Sequence, residues 1–148
     1  MQRLELCSLL APGKGLASWD ANKSPKTCLS PKQLEGSAST PSTRNLDVVI
    51  NLPDGSGYAD IIVDIDATRG TVTVGDVLNA LYVELQKQVD MKAWQTKAAN
   101  FQSIMASAAG KPEFKGVPRV VDLFLKETRF SGLAFDEGTK TWRASFTG

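Results

Sequence analysis

The chain predicts an α+β fold, an antiparallel sheet of about five strands with two helices packed on one face. Three observations carry that expectation. Residues 46–67 alternate apolar and polar side chains in two runs separated by a turn, and residues 74–108 repeat apolar side chains at helical spacing. Strand-like runs then return from residue 119 to the end. Strands grouped at each end of a helical pair favour sheet and helices as two layers rather than a parallel alternation.

The first strand is LDVVINL, residues 46–52, with Leu46, Val48, Ile50 and Leu52 on one face and Asp47 and Asn51 on the other. PDGSG at 53–57 supplies turn chemistry. ADIIVDIDA follows, with Ile61, Val63, Ile65 and Ala67 opposite Asp60, Ile62, Asp64 and Asp66, as a hairpin partner of the first strand. Thr73, with Asp76 three residues on, resembles a capping box with Asp in place of the usual Glu or Gln. Val74, Val77, Leu78, Leu81, Leu85 and Val89 then form one helical stripe. Asp90 is placed to cap a second helix, along which Trp94, Ala98, Phe101, Met105 and Ala108 recur before Gly110 and Pro112 stop it. RVVDLFL, RFSGLAF and TWRASF read as three further strands, the last two joined through a turn at 136–140, with a bulge at Ser131-Gly132.

Residues 1–45 differ in composition. Pro25, Pro31 and Pro41 stand among many Ser, Thr and Lys residues, which favours extended, irregular chain. The expected organisation is an irregular Pro/Ser-rich segment at 1–45, docking on a single α+β domain at 46–148. Leu9, Leu10, Leu16 and Trp19 are its candidate anchors, and 36–44 is its most mobile part by composition.

A chain of 148 residues can bury a core without disulfides or a structural metal. With 17 basic and 16 acidic residues the formal net charge is +1, which gives no general attraction to nucleic acid or anionic membrane. The apolar stretch at residues 4–11 is interrupted by Glu5, too short and broken for a signal peptide or membrane span, so a cytoplasmic setting is expected. Two cysteines, Cys7 and Cys28, read as free thiols in a reducing compartment, with a disulfide between them as the alternative. There is no histidine. That excludes Ser-His-Asp and Cys-His catalysis within this chain and removes the commonest metal ligand. No metal or cofactor is expected.

Several patterns resemble sites. Asp64-x-Asp66 offers hard oxygen ligands, but no further ligands stand at a known spacing, and the pattern reads first as the polar face, with Asp60, of a half-buried strand. Gly70 and Gly75 have the spacing of a phosphate loop, but Asp76 occupies the place of the phosphate-binding lysine and would repel the anion. Arg119, Arg129 and Arg143 could grip a carboxylate, a phosphate or a partner's acidic patch if they shared a face, but Asp122, Glu127, Asp136 and Glu137 dilute the charge and favour a solvated sheet edge. Trp19, in irregular chain, either plugs a groove of its own domain or anchors a partner.

With these elements placed, LLAPGKGLASWDANKSP, VTVGDVLNALYVEL, VPRVVDLFLKETRFSGLAF and TWRASF resemble, in that order, a domain family of unknown function of mushroom-forming fungi, DUF6699. The resemblance covers most of the chain and is weakest at 30–45 and 95–116. It departs from the family pattern at Arg119-Val120-Val121-Asp122, which has one extra residue, and at Ala93-Trp94, where an acid commonly precedes the tryptophan. It implies a fungal, basidiomycete source and an intracellular α+β fold, and brings no activity.

Two functions fit these features. The first is a non-catalytic module binding a protein partner or a small apolar ligand, with Trp19, Arg119, Arg129 and Arg143 as contacts and residues 1–45 removable without loss of the fold. The second is a small metal-independent isomerase, cyclase or lyase of fungal secondary metabolism using Tyr82, Asp122 and Asp76, favoured by a cavity lined by Trp94, Phe101 and Phe124.

Overall fold

Apolar side chains of alternate strand residues and one helical stripe meet in a single core, seen in a computed structural model that describes residues 5–6, 10, 19–27, 29–40, 43–52, 60–67, 70–89, 101–110, 116–124, 128–139 and 141–147. The elements are β1 (Glu5–Leu6), α1 (Pro31–Glu35), β2 (Ser39–Thr40), β3 (Asn45–Ile50), β4 (Ile61–Asp66), α2 (Val74–Gln86), α3 (Phe101–Ala109), β5 (Arg129–Asp136) and β6 (Thr141–Thr147). The described residues also include two 3-10 turns, Pro25–Thr27 and Val120–Phe124.

The main sheet has four strands in the order β4-β3-β6-β5, and β1 pairs with β2 in a separate ribbon. Each half of the main sheet is an antiparallel hairpin, as the turn chemistry predicts. The halves join in parallel at the centre, Val48 opposite Trp142 and Ile50 opposite Ala144. The expectation of an antiparallel sheet of about five strands is corrected to a mixed sheet with four strands among the described residues. Local turn signals specify pairing within a hairpin, but not how two hairpins abut.

The missing strand is VVDLF, which winds into the 3-10 turn Val120–Phe124 with all five residues buried. Asp122 Oδ2 accepts from Arg119 N–H (2.7 Å), and Asp122 N–H donates to Arg119 O (3.0 Å). VVDLF lacks the strict alternation that marks a half-buried strand, and the reciprocal bonding of Asp122 with Arg119 closes the turn instead.

Other elements follow their patterns. Leu46, Val48 and Ile50 of β3 and Val63 and Ile65 of β4 are buried, while Asp47, Asp64 and Asp66 are exposed. Asp60 Oδ1 accepts from Leu52 N–H (3.1 Å) at the other end of the β3–β4 loop. α2 buries Val74, Val77, Leu78, Leu81 and Leu85, packs against β4, and ends at Gln86, short of Val89. α3 packs against the Val120–Phe124 turn and buries Ile104 and Ala108, with Met105 at its margin. Trp94 and Ala98 lie outside the described residues. The bulge expected at Ser131-Gly132 is present between Phe130 and Gly132, with Gly132 at φ 124°. Asp136 Oδ1 accepts from Gly138 N–H (2.9 Å) to shape the turn into β6.

Residues before Leu46 contain more regular structure than their composition suggests. Leu10, Trp19, Ala21, Leu29 and Ala38 belong to the same core as the sheet. Phe130 N–H donates to Trp19 O (3.0 Å), Ala21 N–H to Thr128 O (2.8 Å) and Leu133 N–H to Leu10 O (2.8 Å), so Leu10 and Trp19 to Ala21 are bonded to β5 and the residue before it. The stretch 36–44, expected to be mobile, is tied to the start of α2: Ala38 N–H donates to Val72 O (2.9 Å) and Val74 N–H to Gly36 O (2.8 Å). Cys7 and Cys28 lie outside the described residues.

Trp19 is 0% exposed, its ring centroid 5.5 Å from Phe130 and 6.4 Å from Phe146, and its Nε1–H donates to Lys23 O (3.0 Å). It is packed inside its own fold. A Trp19→Ala substitution is expected to cost about 3–5 kcal/mol, read as a lower urea midpoint with Phe130 and Phe146 left around a cavity. Trp19→Phe should lose clearly less.

Candidate functional site

The start of α2 and the short helix before it create a concavity. Ser30 Oγ accepts from Gln33 N–H (3.2 Å) while Gln33 Oε1 accepts from Ser30 N–H (3.0 Å), a capping box with Pro31 at the first helical position. Proline is tolerated there because its missing N–H has no helical partner to lose. The S-P-K-Q spacing was the available signal for α1, obscured by the surrounding prolines.

α1 then rests on α2 at Gly75. A Cβ at that position would meet Leu34 O at 3.0 Å and Leu34 Cβ at 3.2 Å. Gly75 is therefore a close-approach glycine, and Gly70, at φ 85°, is a turn glycine. Their phosphate-loop spacing has this structural origin. Asp76 Oδ2 accepts from Thr73 N–H (3.1 Å) and Thr73 Oγ1 accepts from Asp76 N–H (3.1 Å), completing the expected cap.

Between the Pro25–Thr27 turn, α1 and the first turns of α2 lies an open groove of about 760 Å³. Pro25, Leu29 and Leu34 give it apolar walls, and Lys26, Asp76 and Asn79 supply polar groups. This volume falls in the range of small-molecule sites.

The three candidate acid–base residues do not assemble there. Asp76 lines the groove through its capping carboxylate. Asp122 is buried near the other end of α2, where Arg119 also contacts Gln86. Along the helix axis these ends are separated by roughly 15 Å. Tyr82 is half-buried against the core, on neither end. Of the cavity-lining set, Phe124 is filled core, its ring 5.1 Å from Phe146.

The arginines likewise serve separate places. Arg119 donates through Nη1 to Gln86 Oε1, and its Nε lies 3.9 Å from Asp122 Oδ2. Gln86 Nε2 in turn donates to Ala21 O (2.9 Å), so this network joins α2, the 3-10 turn and the N-terminal segment. Arg143 donates to Asp136 Oδ2 (2.7 Å) and to Asn51 Oδ1 (2.8 Å), and its guanidinium holds the Asp136 carboxyl below the usual carboxylate range. Arg129 stands opposite Thr147, while Arg143 stands opposite Ala134. The two share a sheet face about 13 Å apart along β6. No three-arginine grip forms.

The outer face of the β3–β4 hairpin carries Asp47, Asp64 and Asp66 in adjacent register. Asn45 Nδ2 donates to Asp64 and, at 2.9 Å, to Asp66. Partial desolvation, then the neighbouring Asp64 and the charge of Asp66, push the Asp47 carboxyl above its ordinary value. Among the described residues no group of three or more His, Cys, Asp or Glu side chains is arranged to hold a metal ion, and no helix is long and apolar enough to cross a membrane.

Two stability predictions follow from these networks. Asp122→Ala removes a buried acceptor from Arg119 N–H and should cost about 1.5–3 kcal/mol in urea unfolding. Asp47→Asn should raise the melting temperature at pH 7. A raised folded-state value means ionisation is costlier in the fold than in the unfolded chain, so the wild type recovers that stability as pH falls through the raised value. The advantage of Asp47→Asn should therefore vanish below the unfolded value of 3.8, measured by thermal scans at pH 7 and pH 3.

The model of the family of unknown function DUF6699 matches residues 17–142. No curated protein and no solved structure matches the chain. The match takes in the core tryptophan Trp19, both walls of the groove and all but the last residues of the main sheet, and on that extent the chain belongs to the family of unknown function DUF6699.

Proposed function

We propose that the chain is a non-catalytic binding module whose groove between α1 and the start of α2 receives a small apolar ligand or an apolar segment of a partner protein. The groove itself carries this reading: Pro25, Leu29 and Leu34 offer apolar contact, and Lys26, Glu35, Asp76 and Asn79 offer polar groups that can orient what binds. The dispersal of Asp76, Tyr82 and Asp122 supports binding over acid–base chemistry, which needs such groups within hydrogen-bond reach of one substrate. A fungal source and an intracellular setting belong to the same proposal and rest on the sequence resemblance.

The test is native mass spectrometry of the protein isolated from its natural source, alongside an Asn79→Trp variant. Asn79 is exposed and lines the groove, so a larger side chain there obstructs it while leaving the core intact. The wild type should carry an additional mass, released on denaturation, that Asn79→Trp lacks. An additional mass retained equally by both proteins, or a bare wild type, would contradict the groove as the binding site.

A further inference from the structure

β4 forms one margin of the main sheet, with β3 as its neighbour. The register identifies the backbone groups it leaves open. Ala67 N–H donates to Arg44 O (2.8 Å). The hydrogen-bonded pairs of this antiparallel ladder are therefore Leu46 with Ile65, Val48 with Val63 and Ile50 with Ile61. The N–H and C=O groups of Ile62, Asp64 and Asp66 point away from β3, and among the described residues none pairs with them. The opposite margin is different, because the chain around Trp19 to Ala21 runs along β5.

The side chains of the same three residues are exposed on the outer face, Ile62 at 72%. Asp64 and Asp66, with Asp47 across the ladder, give this margin a concentrated negative charge. Arg143, which stands beside Val49 on that face, is engaged by Asp136 and Asn51. Acids on an edge strand resist pairing with a second copy, since a two-fold β4–β4 pairing centred on Asp64 opposes like charges. The same charges favour a strand that brings cations.

We propose that the β4 margin is a strand-addition site for an extended basic peptide, with alternate Lys or Arg side chains beside Asp64 and Asp66 and an uncharged one beside Ile62. Main-chain bonds to Ile62, Asp64 and Asp66 supply the register, and the carboxylates select the partner. The site is separate from the groove, so its failure leaves the proposed function standing.

Amide hydrogen exchange, followed by NMR on the full chain, tests this. The probes are two capped ten-residue peptides, one alternating Lys and Thr, the other Glu and Thr. The Lys peptide should slow exchange at Ile62, Asp64 and Asp66 by about tenfold or more, with Asn79 in the groove unaffected. The Glu peptide should leave these amides unchanged, and raised salt should weaken the effect. Ile62→Pro removes one outward N–H while keeping every acid and the ladder to β3, and should abolish the protection at Asp64 and Asp66. Ile62→Thr should retain it. Equal effects of both peptides, no added protection in the wild type, or undiminished protection in Ile62→Pro would overturn the proposal. The first two comparisons use the wild type and need no variant to fold.

Discussion

The burial of Trp19 is the constraint on which most of the architecture depends. An indole placed against Phe130 and Phe146 fills the space beneath the β5–β6 hairpin, and its N–H is satisfied locally by Lys23 O. Trp19 is the largest of the fully buried side chains among the described residues, and burying an indole is favourable once its one polar group is bonded. The backbone from Trp19 to Ala21 is thereby held beside β5, where Ala21 pairs with Thr128 and Asp20 with Arg129. Asp20 is itself restrained: burial pushes its carboxyl up, but bonds from Asn22 and Thr128 and the charge of Lys23 outweigh that and hold it below its ordinary value.

From that anchor the chain is committed to a course that creates the groove. It leaves Trp19 through the Pro25–Thr27 turn, caps α1 at Ser30, and returns past Gly36 and Ala38 to bond the segment entering α2. α1 is too short to be stable alone. Its position rests on Leu34 meeting Gly75 and on the bond from Val74 to Gly36 O. The groove is thus the consequence of a long N-terminal excursion pinned at both ends. Covering β5 also leaves the two margins of the sheet unlike each other, one occupied by the chain's own segment and one presenting acids.

Legibility in the sequence followed the range of the interactions. β3, β4 and α2 were readable because alternation, helical spacing and the Thr73–Asp76 cap are all local signals. The bulge at Ser131-Gly132 was readable for the same reason. The Val120–Phe124 turn was not, because five buried residues in succession show no period and Asp122 reads as a polar interruption until its bonds to Arg119 are seen. The parallel junction of β3 with β6 spans nearly the whole domain and leaves no local trace. Of the candidate site, Asp76 was visible as a cap, but the groove it lines arises from Leu34 approaching Gly75 across 41 residues of sequence. Isolated glycines announce a special position without saying whether a phosphate or a neighbouring helix requires it.

Native-state hydrogen exchange tests most directly whether the N-terminal segment is part of the cooperative core. The amides of Ala21 and Phe130, which bond across the junction between segment and sheet, should open with the same free energy as those of Val48 and Ile50 in the central strand. Exchange at Ala21 and Phe130 through a much lower-energy opening, while β3 stays protected, would show that the segment detaches on its own and that the sheet does not depend on Trp19.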